Sequence, residues 1–451
     1  MPKIAFIGAG STIFMKHIVG DALHVPALSG ADIALVDIDE TRLAESARAA
    51  RGMVRAMKAG ARISTHTDRR AALDGADFVI TAFQIGGYRP CTITDFEIPK
   101  AHGLRQTIAD TLGVGGIMRG LRTVPHLWAL AADMARLCPG ALLLQYVNPM
   151  AINTWALADR FPALRQVGLC HSVQNTVAEL AHDLDLDPGT LRYRVAGVNH
   201  VAFFLRLEQA LEDGGHRDLY PLLRAGHAAG RLPKPPLLMP RCPNHVRYEV
   251  MEHLGYFCTE SSEHLAEYVP WFIKRGRPDL IERFGIPLDE YPKRCEEQMA
   301  DWAARAGADD DAAEAPARSH EFAADLMNAV LTDTPMTIYG NLPNRGQIPQ
   351  LPQGAAVETP CLVDANGVQP TTVTDIPPQL VALMRSQINV QELVVRALLE
   401  EDRSHIYHAA MMDPHTAAEL DLRQIRALVD DLIEAHGDWL PAWCHGKRTA
   451  A

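Results

Sequence analysis

Residues 4–12 read IAFIGAGST, a short apolar run that enters a turn with two glycines and leaves it through two hydroxyl residues. In a strand–turn–helix unit, Gly8 permits the tight turn and Gly10 lets the backbone approach a pyrophosphate. Ser11 and Thr12 then open a helix whose N-terminus faces that negative charge. The third glycine of the usual dinucleotide fingerprint is missing. A second apolar run ends in VDID, where Asp37 follows Gly10 by 27 residues, against a usual spacing of about 20. A carboxylate there accepts from an adenosine ribose diol and repels a 2′-phosphate, which favours NAD over NADP. The same letters also describe a plain βα turn with packing glycines and a solvated Asp37, so the rest of the chain has to decide.

Outward from this turn, the first half alternates apolar runs with helical patterns. KIAFIG, ADIALVD, ADFVITAF, ALLLQYV and QVGLC are separated by stretches such as TRLAESARAARGMVRAMKAG. Continuous apolar strands between helices mean a parallel sheet covered on both faces. The expectation is therefore an α/β fold of the Rossmann type, a doubly wound parallel sheet over residues 1–190. Beyond it the alternation blurs into YRVAG, VAFFLRLE and long helical patterns ending in AELDLRQIRALVDDLIEAHGDWL, read as a mixed α+β second lobe over residues 191–451. KPPLLMPRCP (234–243) and GADDDAAEAPARS (307–319) read as excursions from the core.

Composition narrows the class. The 451 residues are 47% hydrophobic and 22% charged, with a formal net charge of -12, enough apolar material for a large core and the wrong sign for phosphate backbones. Nucleic acid is not an expected partner. No apolar run reaches the length of a membrane span and no signal-peptide pattern is present, so the chain reads as cytoplasmic. Eight cysteines, none in a CxxC pair, read as reduced thiols rather than a disulfide framework.

Three strand ends carry chemistry. Cys170 ends QVGLC at the edge where doubly wound folds place their ligand crevice, and His200 follows YRVAG by a short turn, so a thiolate and an imidazole converge there as metal ligands. Asn148-Pro149 closes ALLLQYV, where an amide can hold a substrate hydroxyl. Asp110 precedes the glycines of ADTLGVGGIMRGLRT (109–123), which either bring backbone amides to a ligand or serve the turn. Read from residue types alone, a buried cysteine is also a small hydrophobe, a lone histidine is also a structural residue, and Asn-Pro also merely turns the chain.

With these residues on the page, the chain resembles the NAD- and metal-dependent family 4 glycoside hydrolases, within which it is most similar to the α-galactosidases. The similarity runs nearly end to end, through FIGAGST, VDID, FQIGGY, IADTLGVGGIMR, YVNPMA, GLCHSVQ, GVNHVAF, ESSEHLAEYVPWF, PLDEYPKRC, LVDANGVQPT and YHAAMMDPHTAA. The family is an exception to the two-carboxylate scheme of glycoside hydrolysis.

The resemblance implies cleavage of α-D-galactosides by oxidation at C3, elimination across C1–C2, water addition and re-reduction, with NAD and a divalent metal, usually Mn2+. It assigns the metal to Cys170 and His200, substrate binding to Asn148, the general acid to His171 and a supporting carboxylate to Asp110. For the base that takes the C2 proton it leaves Tyr268, Glu260 and Glu263, with Tyr268 preferred. Here the residues after the metal cysteine are His171-Ser172-Val173, which points to a neutral sugar rather than a 6-phosphosugar. Arg89, Arg241 and Arg247 keep a galacturonide in view as carboxylate anchors, and an α-glucosidase of the same family is the other alternative. A homodimer or homotetramer is expected. The rival readings are a 2-hydroxy-acid dehydrogenase, which has no use for Cys170-His171, and a non-catalytic NAD-binding protein.

Overall fold

The computed structural model describes residues 1–237, 242–305 and 315–446. Six strands, β1 (Lys3–Ile7), β2 (Asp32–Val36), β3 (Arg62–His66), β4 (Phe78–Thr81), β5 (Leu142–Gln145) and β6 (Gln166–Leu169), pair in parallel in the order β3-β2-β1-β4-β5-β6. Every residue of β4, β5 and β6 is buried, as central strands covered on both faces must be. The sequence reading missed β3. Its residues, Arg-Ile-Ser-Thr-His, are exposed or half-buried at the sheet edge, so it carries none of the continuous apolar signal that marks the others.

The second half extends this sheet. β7 (Leu191–Val198) and β8 (Val201–Ala210) form a hairpin, with β9 (His216–Asp218) beyond it. β10 (Met336–Pro343) pairs antiparallel with β6 through Gly340–Leu169 and Asn341–Gly168, β11 (Ala356–Asp364) joins β10 to the hairpin, and β12 (Gly367–Pro370) pairs with β11. One sheet thus crosses residue 190. The helix Ala323–Thr332 also returns to the first lobe, where Ala324, Leu326 and Met327 share a core with Phe6, Ile18 and Leu144. Each such large side chain contributes about 1.5–3 kcal/mol on burial. On the other side, the helix Gly113–Leu137 gives Val114, Ile117 and Leu121 to the core of the second lobe.

The terminal pattern AELDLRQIRALVDDLIEAHGDWL is two helices, Pro414–Glu419 and Leu422–His436. Asp421 breaks it by accepting from the amides of Arg423 and Gln424 while Gln424 accepts from the amide of Asp421, a capping box. Of the two excursions, residues 238–241 and 306–314 lie outside the described residues, and Arg241 with them. Among the described residues, no helix is long and apolar enough to cross a membrane.

Candidate active site

The ends of the parallel strands and the tip of the β7–β8 hairpin meet at one rim of the sheet. After β1, the amides of Gly8 and Ala9 donate to the Val36 carbonyl at 2.9 Å, and the Gly10 amide donates to the Asp37 carboxylate at 2.7 Å. Both glycines are needed for this closeness. Gly8 has φ +92 and a Cβ there would lie 2.4 Å from the Ala82 carbonyl oxygen; a Cβ on Gly10 would lie 2.6 Å from the Asp37 carboxylate. Ser11 stands at the N-cap of the helix Thr12–His24 without capping it through its side chain, so the first-turn amides are left for an external acceptor. The turn, the uncapped helix and Asp37 fit a dinucleotide.

Cys170 directly follows β6, and His200 occupies the two-residue turn between β7 and β8. The structure brings them together: Cys170 Sγ lies 3.5 Å from His200 Nε2. A third donor joins them, because Glu260 Oε2 lies 3.2 Å from His200 Nε2 and 4.0 Å from Cys170 Sγ. Burial and the carboxylates of Glu260 and Glu358 push the Cys170 thiol well up. Burial would raise Glu260 too, but the imidazoles of His200, His264 and His171 outweigh it and hold that carboxyl at about 2. A sulfur, an imidazole nitrogen and a carboxylate oxygen converging in a buried place suit a divalent cation, whose charge reverses the penalty on the thiol. The buried side-chain amide of Asn199, next to His200, finds no hydrogen-bond partner among the described residues.

Asp110 forms the other side of the site. Its Oδ1 accepts from the Thr111 hydroxyl at 2.7 Å and its Oδ2 from the Asn148 amide at 3.1 Å, with Arg119 Nη1 3.6 Å away and His264 Nε2 at 3.9 Å. Burial raises this carboxyl, but Arg119, His264 and His200 together hold it below its ordinary value. The loop that carries it is held from behind. Glu267 accepts from the amides of Thr107, Ile108 and Ala109 at 2.8, 3.2 and 2.9 Å, and Ala109 adopts φ +53. Gly115 and Gly116 serve this loop: a Cβ on the first would lie 2.4 Å from the Ala109 carbonyl oxygen and on the second 2.6 Å from Thr111 backbone carbon.

The three residues named for the base take different places. Tyr268 is fully buried, with its hydroxyl 3.2 Å from His200 Nδ1, on the far side of the ring from Cys170. Burial, then Asp110, Glu267 and Glu260, push its phenol well above the ordinary value. Glu263 is held by Arg294 Nη2 at 2.7 and 2.8 Å. Glu260 belongs to the Cys170–His200 group. Between that group and Asp110 stands a residue the sequence reading did not single out, His264. Its Nδ1 lies 2.8 Å from the Ser261 hydroxyl, its ring meets His200 edge-on at 4.9 Å, and burial lowers its pKa. One signal was available: in ESSEHLAEY, His264 and Tyr268 are four apart, as are Glu263 and Glu267, the spacing that puts pairs on one helical face.

His171 is 52% exposed, with Nδ1 3.6 Å from Glu321 of the second lobe. Arg247 donates to Asn244 through Nε and Nη2 and to Thr176 through Nη1, and Arg89 is exposed near Glu296 at 3.8 Å.

Residues 3–186 match the model of the family 4 glycosyl hydrolases and residues 195–416 that of their C-terminal domain. An alpha-galactosidase of Bacillus subtilis (strain 168) is 44% identical over 98% of this chain and 100% of its own. An alpha-galactosidase of Rhizobium meliloti (strain 1021) is 32% identical over 98% and 90%. Among solved structures, a 6-phospho-alpha-glucosidase from gut microorganisms in complex with NAD and Mn2+ superposes with a TM-score of 0.77 at 20% identity, covering 98% of this chain and 99% of the other. The doubly wound sheet, the glycine turn and the matches across both halves lead to one conclusion: the chain belongs to glycosyl hydrolase family 4.

Proposed function

We propose that this chain is an α-galactosidase that uses NAD and a divalent metal, Mn2+ in the first place. The observation that carries this reading is the 44% identity over the whole chain with a protein named alpha-galactosidase. The meeting of Cys170 and His200 beside Asp110 and Asn148 supports it.

Bound NAD+ supplies a reversible hydride acceptor for C3 of the sugar, and a divalent metal supplies Lewis-acid polarisation of the C2 and C3 oxygens. The residues that would hold the dinucleotide are Gly8, Gly10, Ser11, Thr12 and Asp37; those that would hold the metal are Cys170 and His200. Asn148 donates through Nδ2 to Asp110, and its side-chain Oδ1 would accept from a sugar hydroxyl. His171 donates a proton to the departing glycosidic oxygen. Its exposure suits contact with the leaving group, and Glu321 near Nδ1 leaves Nε2 as the donating atom. For the C2 proton His264, whose Nε2 lies 3.9 Å from Asp110 Oδ1, is the base we favour, with Tyr268, the residue preferred from sequence, as the alternative. A neutral sugar fits better than a galacturonide, because the buried Arg247 already donates from each guanidinium nitrogen to Asn244 or Thr176 and Arg89 is exposed near Glu296.

The test is hydrolysis of an α-galactoside by purified protein with NAD+, Mn2+ and a reductant, each omitted in turn, in D2O. Loss of hydrolysis on each omission, with deuterium at C2 of the released galactose, is the expected result. Net release of NADH overturns it in favour of a dehydrogenase, and cleavage of galacturonides alone overturns the substrate.

A further inference from the structure

Glu260 is drawn into the site by the backbone as well as by charge. Both His200 and Glu260 adopt φ +66, the left-handed region in which a residue with a side chain stores about 1 kcal/mol or more of strain. These strained positions deliver side chains to the same point. Cys170, His200 and Glu260 each offer one donor atom, all within 4.8 Å of one another, and they are the one such group of three among the described residues. The two oxygens of Glu260 are divided. Oε1 accepts from the Ser261 amide at 3.1 Å and faces His264 Nδ1 at 3.5 Å, whereas Oε2 faces Sγ and Nε2.

On these observations, and resting on the metal-dependent reading above, we infer that Glu260 is a third protein ligand of the metal. The site is then a tripod of thiolate, imidazole and carboxylate, whose two anions neutralise a divalent cation. A carboxylate in the set also fits a hard ion such as Mn2+ better than sulfur and nitrogen alone. The alternative is a direct His200–Glu260 contact, 3.2 Å between Nε2 and Oε2, with no metal held by the carboxylate.

The experiment titrates metal-free protein, saturated with NAD+, with Mn2+, reading free Mn2+ by electron paramagnetic resonance. Glu260→Gln is expected to weaken Mn2+ by more than about 100-fold, beyond the roughly 10–100-fold that loss of an outer partner costs, with NAD affinity unchanged. Weakening of less than about 100-fold overturns Glu260 as a ligand. Should Glu260→Gln fail to fold, the metal-induced infrared difference spectrum of the wild type decides: a shifted carboxylate stretch is expected, and its absence overturns the inference. Failure of the underlying reading looks different. The wild type then binds no Mn2+, and added Co2+ gives no thiolate charge-transfer band that Cys170→Ser removes.

Discussion

The Tyr268 hydroxyl and His200 Nδ1 lie 3.2 Å apart, on the opposite side of the imidazole from the Nε2 that meets Cys170 and Glu260. If Nε2 faces the metal, Nδ1 carries the proton and donates it to Tyr268, which fixes both tautomer and ring orientation. Tyr268→Phe is then expected to weaken Mn2+ about 10-fold and to retain turnover at saturating metal. Loss of turnover at saturating metal, together with loss of C2 deuterium exchange, would return the base role to Tyr268.

Glu267 makes a pH prediction. Burial pushes its carboxyl up to about 7, against the pull of the three amides it accepts from. The folded protein therefore binds this proton more tightly than the unfolded chain, whose carboxyl titrates at about 4.5. The stability it contributes is complete below about 4.5 and is lost as pH rises through about 7, by up to about 3 kcal/mol. Denaturant titrations of wild type and Glu267→Gln across this window should show the wild type losing stability relative to the variant. A constant difference across the window would mean that Glu267 is ionised throughout.

The parts legible in the sequence are those whose signal is local. β1, β2, β4, β5 and β6 are continuous apolar runs, and Gly8, Gly10, Asn148 and Cys170 stand at or just beyond strand ends, where a doubly wound sheet puts its crevice. What was not legible depends on partners far away in the chain. The helix Ser262–Tyr268 is buried at every residue, so no polar stripe marks which side His264 or Glu267 serves. Glu267 acts on amides 158 to 160 residues earlier, and Glu260 reaches a cysteine 90 residues away. Nor does composition near residue 190 reveal that β10 returns to pair with β6. That pairing extends the sheet beyond the strand that Cys170 follows.

Gly115 tests whether the Asp110 loop is set by close packing. In Gly115→Ala, the added Cβ would lie 2.4 Å from the Ala109 carbonyl oxygen and 2.8 Å from the Ala109 side chain, and neither neighbour is the end of a flexible chain. The expected cost is about 1–3 kcal/mol, with the displacement falling on the loop that presents Asp110. The measurable pattern is a fall in kcat greater than the change in NAD affinity, because the dinucleotide turn belongs to another strand end. Unchanged kcat would show that the loop tolerates the shift and that Asp110 needs no such exact placing.

His171 offers the sharpest division of roles, because an acid matters only as much as the leaving group needs it. A sugar or alkyl alcohol departs poorly as an anion, so elimination of such a group depends on the proton that His171 delivers, a contribution of about 10²–10⁴-fold for a positioned acid. A nitrophenolate departs readily without one. His171→Asn should therefore lose about 10²–10⁴-fold in kcat/KM on a galactosyl disaccharide while losing far less on the nitrophenyl α-galactoside. The C2 proton is taken by a different group, so deuterium exchange at C2 should persist in the variant. Equal losses on the two substrates would remove His171 from the leaving-group side, and loss of C2 exchange along with them would make it part of the proton-abstracting machinery instead.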